Sequence, residues 1–358
     1  MLKEITAAEA SMQFGIFCSN RDLDGSILEG VAFDQWVPYQ TNTKVWYSST
    51  ESILPVVQRE IKDQQPDFLV ITGIYDWNYN LKPLLFCKGV KKIISVRGML
   101  HPGALSQKGF KKKIYLTMWK LLGLHKKNTF HATDEAEKKY IQDTFGTGVK
   151  IKIAANFPHV LQLQPAQIKH AGFLKLASIA LVSPMKNILL VLEALRKLGA
   201  GPGTERDGNI HIEYDIYGPV KDKAYWEQCE TLINTLPAKV KVQYQGDIPP
   251  AGISAALAAC HVFVLPSKSE NFGHSIYEAL SSGRPVITSN NTPWVELAKA
   301  KAGINVSVDG IAALEQAIHF FVHMNQEEFR AWNIGAREYA EKAIDTDRIS
   351  RQYLEMFR

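Results

Sequence analysis

The sequence predicts an α/β protein made of two Rossmann-like lobes, each built on a parallel sheet. The chain has 358 residues, and because an average domain has about 150 residues, we expect two domains. Hydrophobic residues make up 46% of the chain and charged residues 22%, a composition typical of a packed globular protein. Short apolar runs alternate with amphipathic segments throughout, which is the pattern of βαβ units.

The apolar runs form two sets of predicted strands. The first half of the chain supplies QFGIF, DFLVITG, KKIISV and TFHAT, and the second half supplies LKLASIAL, IEYDIYG, VKVQYQG, HVFVLP and PVITS. Between the two sets, KIAANFPHVLQLQPAQIKH is interrupted by polar residues and two prolines, so it indicates a boundary. We expect one domain over residues 1–160, a second over 161–340, and a final helix over 341–358 that packs back on the first domain.

The sequence shows no sign of secretion or of a membrane span. Its four cysteines are far apart and lack CxxC spacing, so we expect reduced, structural thiols. Residues 1–17 contain no basic segment followed by an apolar one, and no run of 18 uncharged apolar residues occurs. We therefore expect a cytoplasmic protein.

Positive charge is concentrated in one stretch of the chain. From Trp77 to Thr133 the sequence has twelve Lys and Arg residues and no Asp or Glu. A patch of one sign predicts an anionic partner, which is a phosphorylated substrate, an acidic lipid surface or nucleic acid. No aromatic stacking platform or groove-reading motif accompanies the charge, so nucleic acid is not expected.

Residues 108–127, within this basic run, interleave seven lysines with apolar residues. The mixture is typical of a basic amphipathic helix at an anionic membrane surface, with the ring of Trp119 at the interface. The alternative is an ordinary helix whose core face is formed by Ile114, Met118 and Leu122. The lysines are Lys108, Lys111, Lys112, Lys113, Lys120, Lys126 and Lys127.

The stretch SKSENFGHSIYEALSSGRPVITSN, residues 267–290, predicts a ligand site. HVFVLPS is a predicted buried strand over Val262–Leu265, and the helix that follows begins near Gly273 and ends before Gly283. Ligands bind outside the carboxyl ends of strands in open α/β sheets. Glu270 and Glu278 should therefore flank a ligand.

The predicted ligand combines a phosphate with hydroxyl groups. The turn Asn271-Phe272-Gly273 opens the helix, so backbone N–H groups and the positive end of the helix dipole suit a phosphate. Carboxylates instead accept hydrogen bonds from vicinal hydroxyls. Two such acceptors beside a phosphate predict a nucleotide-sugar, whereas the alternative is that both glutamates lie on a solvated helix face.

E-x7-E followed by EAL…G.PVI.S resembles the signature of the retaining glycosyltransferases of family 4, which have the GT-B fold, two Rossmann-like lobes whose parallel sheets face a central cleft. SVRGMLHPGAL, FHATDEAE, SPMKN, YDIYGP and YQGDIP follow the family's order, so the resemblance runs from about Gln13 onward. It implies retaining, metal-independent transfer of a sugar from a nucleotide-sugar to a glycan or lipid-linked acceptor, for a surface polysaccharide. No cofactor is implied, and neither UDP nor GDP is favoured in the donor.

The resemblance also assigns roles to individual residues. Glu278 would hold the ribose hydroxyls, Glu270 the donor hexose and Lys186, in SPMKN, the diphosphate. Arg97 falls where many relatives have a substrate-contacting histidine, and we take Glu270, Lys186 and Arg97 as catalytic candidates. The backbone of Phe272, Gly273, His274 and Ser275 would bind the diphosphate. The remaining donor-side residues are Ser183, Tyr217, Gly218, Pro219, Gly246, Asp247, Ile248 and Asn271, and the acceptor-side residues are Gly98 and His101.

The sequence departs from the family in two places. Leu181 stands where the family has an arginine, and the first βα unit is not recognisable before MQFGIF. The alternatives are an impaired or truncated protein that binds nucleotide-sugar without turnover, and a nucleotide-sugar epimerase. Arg97 would replace the lost charge or be salt-bridged at a strand end. The acidic pairs RDLDG (Asp22, Asp24) and DTD (Asp345, Asp347) indicate a turn and a helix start, so no metal site is expected.

Overall fold

The computed structural model describes residues 2–22, 25–50, 52–106, 109–158, 161, 167–200 and 210–358. The chain divides into two compact units, named here unit 1 (Met1–Phe157 with Thr346–Arg358) and unit 2 (Pro158–Asp345). Three features expected from the sequence lie outside the described residues: Asp24, Lys108 and the boundary residue 160.

The described residues of unit 1 form two sheets. In a three-stranded sheet, β1 (Phe14–Ser19) is parallel to β3 (Thr43–Ser48), and β3 is antiparallel to β2 (Trp36–Gln40). A parallel sheet contains β4 (Phe68–Thr72), β5 (Lys91–Ser95), β6 (Thr129–Ala132) and β7 (Lys150–Ile153), in that order. The helices are α1 (Leu2–Ala8), α2 (Leu54–Gln64), α3 (Lys82–Phe86) after a π-helical turn (Trp77–Leu81), α4 (Pro102–Ser106), α5 (Gly109–Leu121), α6 (Leu124–Lys127) and α7 (Glu135–Phe145).

The core of unit 1 lies against the four-stranded sheet. Phe130 of β6 is fully buried, and the rings of Trp119 from α5 and Phe145 from α7 stack with centroids 5.9 Å apart. Helix α7 begins where the Asp134 carboxylate accepts a hydrogen bond from the Glu137 N–H at 2.7 Å, an N-cap. This cap fixes the start of α7 directly after β6.

Helix α5 contradicts the residue assignments in both interpretations of the basic run. Trp119 is 1% exposed, so its ring belongs to the core and does not lie at a lipid surface. Ile114, Met118 and Leu122 are 57%, 37% and 47% exposed, so they do not form the core face. The helix carries apolar residues on opposite sides, and the core takes the side of Leu116 and Trp119 instead.

The described residues of unit 2 form one parallel sheet of six strands, in the order β10-β9-β8-β11-β12-β13. The strands are β8 (Phe173–Ile179), β9 (His211–Tyr217), β10 (Val240–Gly246), β11 (Val262–Leu265), β12 (Val286–Ser289) and β13 (Gly303–Val306). The helices are α8 (Ile188–Ala200), α9 (Lys223–Ile233), α10 (Pro250–Ala258), α11 (His274–Ser281), α12 (Ala312–Val322) and α13 (Gln326–Ala343). Every residue of β11 is fully buried, as expected for a central strand covered on both faces.

The order of strands reverses at the centre of this sheet. From β8 the chain adds β9 and then β10 on one side, whereas β11, β12 and β13 extend the other side. The connections after β8 and β11 therefore lead away from each other. Between the carboxyl ends of these two strands lies the switch point, where open α/β sheets bind ligands.

The last helix, α14 (Thr346–Met356), belongs to unit 1. Tyr353 is 1% exposed, and its ring stacks on Phe157 with centroids 5.4 Å apart. The Gln352 side chain accepts a hydrogen bond from the Ala155 N–H at 3.2 Å, and the Lys152 ammonium donates one to the Glu355 carbonyl at 2.6 Å. These contacts bind α14 to β7 and the residues that follow it.

The α/β class with parallel sheets is confirmed, and four strands were not predicted. They are β2, β3, β7 and β13. The β2–β3 pair is antiparallel, which the pattern of alternating strands and helices did not indicate. Each of the four has at most six residues, and all four have partly exposed positions that weaken their apolar signal.

The thiols agree with the prediction of unpaired, structural cysteines. All four are free, and Cys87, Cys229 and Cys260 are buried. Burial raises the pKa of the Cys229 thiol to about 11 and that of Cys260 to about 12. Separately, none of the described helices combines the length and the apolar character needed to cross a bilayer.

Candidate active site

The loops after four neighbouring strands of unit 2 carry all of the predicted donor residues outside α11. Gly246–Ile248 lie at the end of β10, Tyr217–Pro219 at the end of β9, Ser183 and Lys186 after β8, and Glu270–Gly273 after β11. Because the four strands are parallel and adjacent, their carboxyl ends meet at one edge of the sheet. The structure therefore brings these residues to the same edge.

Backbone hydrogen bonds join these loops into one surface. The Gly218 N–H donates to the Gly246 carbonyl at 2.7 Å, and the Lys268 N–H donates to the Met185 carbonyl at 2.8 Å. Gly218 has φ +121°, and a Cβ at this position would lie 2.1 Å from the Ala180 carbonyl oxygen. The close approach of the loops after β8 and β9 thus requires glycine at residue 218.

Lys186 and Glu270 meet at the switch point between β8 and β11. The Lys186 ammonium donates to Glu270 Oε1 at 2.5 Å, and the two side chains are 23% and 10% exposed. The Ser267 hydroxyl donates to the same oxygen at 2.7 Å. A cation suited to a diphosphate and a carboxylate suited to sugar hydroxyls therefore lie in direct contact where a ligand is expected.

Ser267 was not among the predicted site residues. It is fully buried, three residues before Glu270 in the loop that leaves β11. A hydroxyl three residues before a carboxylate at a strand end was the available sequence signal, because serine side chains often bond within such turns. Its contact holds one oxygen of Glu270 in a fixed direction.

Helix α11 presents its N-terminus at this edge. Gly273 is the N-cap residue, with φ +75°. Because glycine has no side chain, it does not cap the N–H groups of the first turn. The Trp294 indole N–H donates to the Phe272 carbonyl at 2.5 Å, and the Phe272 and His274 rings lie 4.6 Å apart. These contacts fix the turn that opens the helix.

Glu278 lies in the second turn of α11 and is 7% exposed. Its carbonyl oxygen accepts hydrogen bonds from the Ser281 and Ser282 hydroxyls, at 3.1 and 2.7 Å. The solvated helix face that was the alternative for the two glutamates does not hold, because both side chains are largely buried. A buried carboxylate requires hydrogen-bonding or charged partners.

Arg97, Gly98 and His101 lie in unit 1, in the loop after β5. Arg97 and Gly98 have φ of +49° and +74°, and the Arg97 guanidinium donates to the Asn156 side chain. The Asn156 amide is neutral, so this contact is not the salt bridge considered as the alternative for Arg97. His101 Nδ1 accepts from the Gly103 N–H at 3.1 Å, so this histidine contacts the first turn of α4.

A buried carboxylate holds the Arg97 loop, and sequence analysis missed it. Glu137 is 1% exposed and accepts hydrogen bonds from the Gly98 N–H at 2.5 Å and from the N–H and hydroxyl of Thr133 at 2.7 and 2.9 Å. It lies in FHATDEAE, a motif recognised as a whole without a role for this glutamate. Glu137 fixes the backbone beside Arg97.

Leu181 is partly buried, between two residues whose N–H groups are used by the backbone. Ala180 and Val182 donate to the Tyr217 and Pro219 carbonyls, both at 3.0 Å. Burial, and then the Asp215 carboxylate, raise the pKa of the Tyr217 phenol. The loop after β8 thus keeps its backbone pairing and has an apolar side chain at residue 181.

Neither acidic pair forms a described metal centre. In the part of the chain that the structure describes, no group of three or more His, Cys, Asp or Glu side chains is arranged to hold a metal ion. The Asp22 carbonyl accepts from the Gly25 N–H at 3.0 Å, a turn as predicted, and Asp347 lies in the first turn of α14. These are structural positions for acids.

Comparison with known proteins gives a family for unit 2. Residues 164–339 match the model of the family described as Glycosyl transferases group 1. Over 70 residues the chain is 40% identical to a sulfoquinovosyl transferase of Arabidopsis thaliana. This alignment covers 20% of this chain and 13% of that protein. Over 168 residues the chain is 27% identical to O-antigen chain mannosyltransferase B of Escherichia coli. This alignment covers 47% of this chain and 41% of that protein. The alignments thus span less than half the length of these relatives.

The fold is shared with a solved glycosyltransferase structure. Sucrose-phosphate synthase from Thermosynechococcus elongatus superposes with a TM-score of 0.72 over 100% of this chain and 91% of that one, at 15% sequence identity. Identity this low carries information about the fold alone. The chain therefore has the GT-B fold, and its residues 164–339 match the group 1 glycosyltransferases.

Proposed function

We propose that the protein is a retaining glycosyltransferase that moves a sugar from a nucleotide-sugar to a glycan or lipid-linked acceptor. The observation that carries this proposal is the contact between Lys186 and Glu270 at the switch point of the unit 2 sheet. The ammonium suits the diphosphate, the carboxylate suits the hexose hydroxyls, and the N-terminus of α11 adds a second positive end for phosphate. The Glu278 carboxylate accepts hydrogen bonds from the ribose hydroxyls.

The setting of this reaction is also part of the proposal. We assign the nucleotide-sugar to the second domain and the acceptor to the first, with Gly98 and His101 on the acceptor side. The product is a surface polysaccharide, made in the cytoplasm at the inner face of the cell membrane. The name of the Escherichia coli relative, an O-antigen chain mannosyltransferase, supports this pathway. The two relatives are named for different sugars, so the donor sugar stays open.

The proposed chemistry requires positioning and charge stabilisation. The acceptor hydroxyl attacks the anomeric carbon on the face from which the diphosphate leaves, and an oxygen of the leaving phosphate takes the hydroxyl proton. The bond to the acceptor oxygen forms as the bond to the diphosphate breaks. Lys186 and the α11 N-terminus stabilise the negative charge on the diphosphate, and Leu181 supplies no second cation from the loop after β8. The charge is offset by these groups, so the proposal includes no metal.

A second function, donor binding without turnover, is favoured by one observation. Leu181 places an apolar side chain in the loop after β8, where the proposed reaction needs cations around the leaving group. Binding and turnover therefore have to be measured separately.

The test is to measure the affinity for UDP, GDP and a panel of UDP- and GDP-linked sugars by calorimetry, and then to identify the reaction products. Glu278→Gln should weaken binding of the preferred nucleoside diphosphate by about 10- to 150-fold, the loss of a charge-assisted hydrogen bond. Glu227→Gln, at an exposed position of α9, is the matched control and should bind as wild type.

The outcomes separate the candidate functions. Transfer to an acceptor, with an anomeric configuration equal to that of the donor by NMR, supports the proposal. Tight binding with no transferred or hydrolysed sugar supports the binding protein instead, and an epimerised nucleotide-sugar supports an epimerase. No binding of any nucleotide-sugar would exclude all three.

A further inference from the structure

Helix α5 leaves a row of large apolar side chains in solvent. Phe110, Ile114, Met118 and Leu121 are 79%, 57%, 37% and 83% exposed. On the opposite side, the buried Trp119 attaches the helix to the core of unit 1. The row, named here the α5 stripe, is therefore a surface feature of a helix that is already anchored.

The four side chains lie on one narrow face. At about 100° per residue, they fall within roughly 80° of arc around the helix axis, with Trp119 on the far side. Exposed apolar residues that are scattered singly are ordinary, whereas a contiguous row indicates a binding surface.

Lysines border the α5 stripe on both sides. By the same helical spacing Lys111 lies along one border, and Lys113 and Lys120 along the other. All three are exposed, and the exposed Lys126 and Lys127 follow in α6. Residues 77–133 contain no Asp or Glu, so the charge around the stripe is of one sign.

Lys112 does not belong to the charged border of the α5 stripe, because it contacts other residues of unit 1. Its ammonium donates to the Ala104 carbonyl at 2.6 Å and lies 5.1 Å from the centroid of the Tyr75 ring. This lysine holds α5 to its neighbours in unit 1. The outward charge of the helix therefore comes from the lysines that border the α5 stripe.

We propose that α5 lies in the surface of an anionic phospholipid membrane. The α5 stripe enters the boundary between headgroups and acyl chains, while the bordering lysines extend along it to the lipid phosphates. An acidic bilayer matches both parts of the surface, since it offers apolar depth beneath a layer of negative charge. Nucleic acid offers the charge without an apolar layer to receive four side chains.

This inference rests on the proposed function only for its purpose, which is to bring the enzyme to a lipid-linked acceptor. Binding to lipid requires no glycosyl transfer, so the two can fail separately. Transfer to a water-soluble acceptor should be the same in wild type and in variants of the α5 stripe, because those side chains lie outside the proposed site.

The experiment is co-sedimentation of the full chain with vesicles. Wild type should bind vesicles of phosphatidylcholine with about one third phosphatidylglycerol and not vesicles of phosphatidylcholine alone. Phe110→Ser with Leu121→Ser should reduce binding at least tenfold, and Lys111→Glu, Lys113→Glu and Lys120→Glu together should reduce it by about fivefold or more for each lysine. Both sets of positions are exposed, so the fold should be kept, which circular dichroism verifies.

Matched variants in unit 2 control for apolarity and charge. Ile334→Ser replaces a side chain that is 50% exposed on α13, and Lys223→Glu with Lys241→Glu reverses two exposed charges. These variants should sediment with vesicles as wild type does. Equal partitioning of wild type and the Phe110/Leu121 variant, or equal binding to neutral and anionic vesicles, would overturn the proposal. So would a lipid-free dimer that the same double variant converts to a monomer, because the α5 stripe would then contact a second copy.

Discussion

A single carboxylate oxygen, Glu270 Oε1, accepts hydrogen bonds from the Lys186 ammonium and from the Ser267 hydroxyl. If Lys186 moves to a diphosphate, the buried Ser267 still holds this oxygen in place. The serine therefore orients Glu270 for the hexose in the proposed complex, whereas the lysine is shared between carboxylate and phosphate.

Ser267→Ala should separate the two halves of the donor. We expect affinity for the nucleotide-sugar to fall about tenfold, by loss of one charge-assisted hydrogen bond, while affinity for the free nucleoside diphosphate stays unchanged. Calorimetry with both ligands measures this difference. An equal loss for the two ligands would mean that Ser267 supports the loop as a whole rather than Glu270.

Lys186→Ala should have the opposite selectivity. Removing the ammonium weakens binding of the nucleoside diphosphate itself by about 10- to 150-fold, and turnover should fall at least as far, because Leu181 provides no second cation in this loop. Lys241→Ala, an exposed lysine of β10, is the control. If Lys186→Ala retained full turnover, Lys186 would not be the main cation at the diphosphate.

His261 makes the stability of unit 2 depend on pH. Its Nδ1 accepts from the Lys175 N–H at 2.9 Å, so its Nε2 carries the proton and donates to the Ile168 carbonyl at 3.2 Å. Burial, together with nearby Lys169 and Arg284, lowers the pKa of this histidine to about 4. The neutral ring is thus the form that fits.

Acid should therefore destabilise the protein at pH values between the pKa of this ring in the unfolded chain and its pKa in the folded protein. From pH 6.5 down to 4 the unfolded state binds a proton that the folded state does not, so the free energy of unfolding falls, by about 2 kcal/mol at pH 5 for one such histidine. His261→Gln should flatten the dependence of Tm on pH between 7 and 5. Part of the slope should remain, because burial also lowers the pKa of His131 to about 4. An unchanged slope would contradict this assignment.

Among the elements, the turns that end β9 and β10 allow a matched comparison of two glycines. Gly218 and Gly246 both have positive φ, but a Cβ at Gly218 would meet the Ala180 carbonyl oxygen at 2.1 Å, whereas one at Gly246 has open space. Gly246→Ala should cost roughly 1–2 kcal/mol of unfolding free energy, for the backbone conformation alone. Gly218→Ala should cost clearly more, since the loops must also separate.

Urea unfolding of the two variants measures this comparison. The expected result is a lower midpoint for Gly218→Ala than for Gly246→Ala at the same slope. Equal midpoints would show that the loop after β8 yields without cost, and the tight packing of the four loops would then not be needed for stability.

The elements also show what sequence reasoning can reach. The β11–α11–β12 segment was predicted because β11 is a continuous apolar run and because Gly273 and Gly283 mark where the helix begins and ends. β7 was missed because KIKI alternates charged and apolar residues at a place where prolines suggested a boundary. Helix α5 has apolar residues around its circumference, so its spacing could not tell which face the core would take. Contacts between distant residues, such as those of Glu137, leave no local pattern.

On the scale of the whole molecule, unit 1 is assembled from two separate parts of the chain. Residues Met1–Phe157 are completed by Thr346–Arg358, and Tyr353 supplies a buried ring that stacks on Phe157. The sequence predicted one final helix over residues 341–358, whereas in the structure α13 ends at Ala343 and α14 runs from Thr346 to Met356.

Tyr353→Ala should weaken unit 1 and leave unit 2 intact. Removal of a large buried ring costs about 3–5 kcal/mol, and hydrogen exchange should therefore accelerate in β7 and α1, which α14 contacts, but not in β8–β13. Arg351→Ala, at an exposed position of the same helix, should leave exchange unchanged. Uniform acceleration in both units would show that they unfold as one.

The divided make-up of unit 1 has a consequence for the order of events during translation. The ribosome makes β1–β7 first, then all of unit 2, and only then Gln352 and Tyr353, whose partners Ala155 and Phe157 were made almost two hundred residues earlier. Unit 2 is contiguous and can close its core as soon as it emerges, which turns the long connection into a compact insert and limits the entropy that α14 loses on docking. The unit that synthesis begins first is the one that folding completes last.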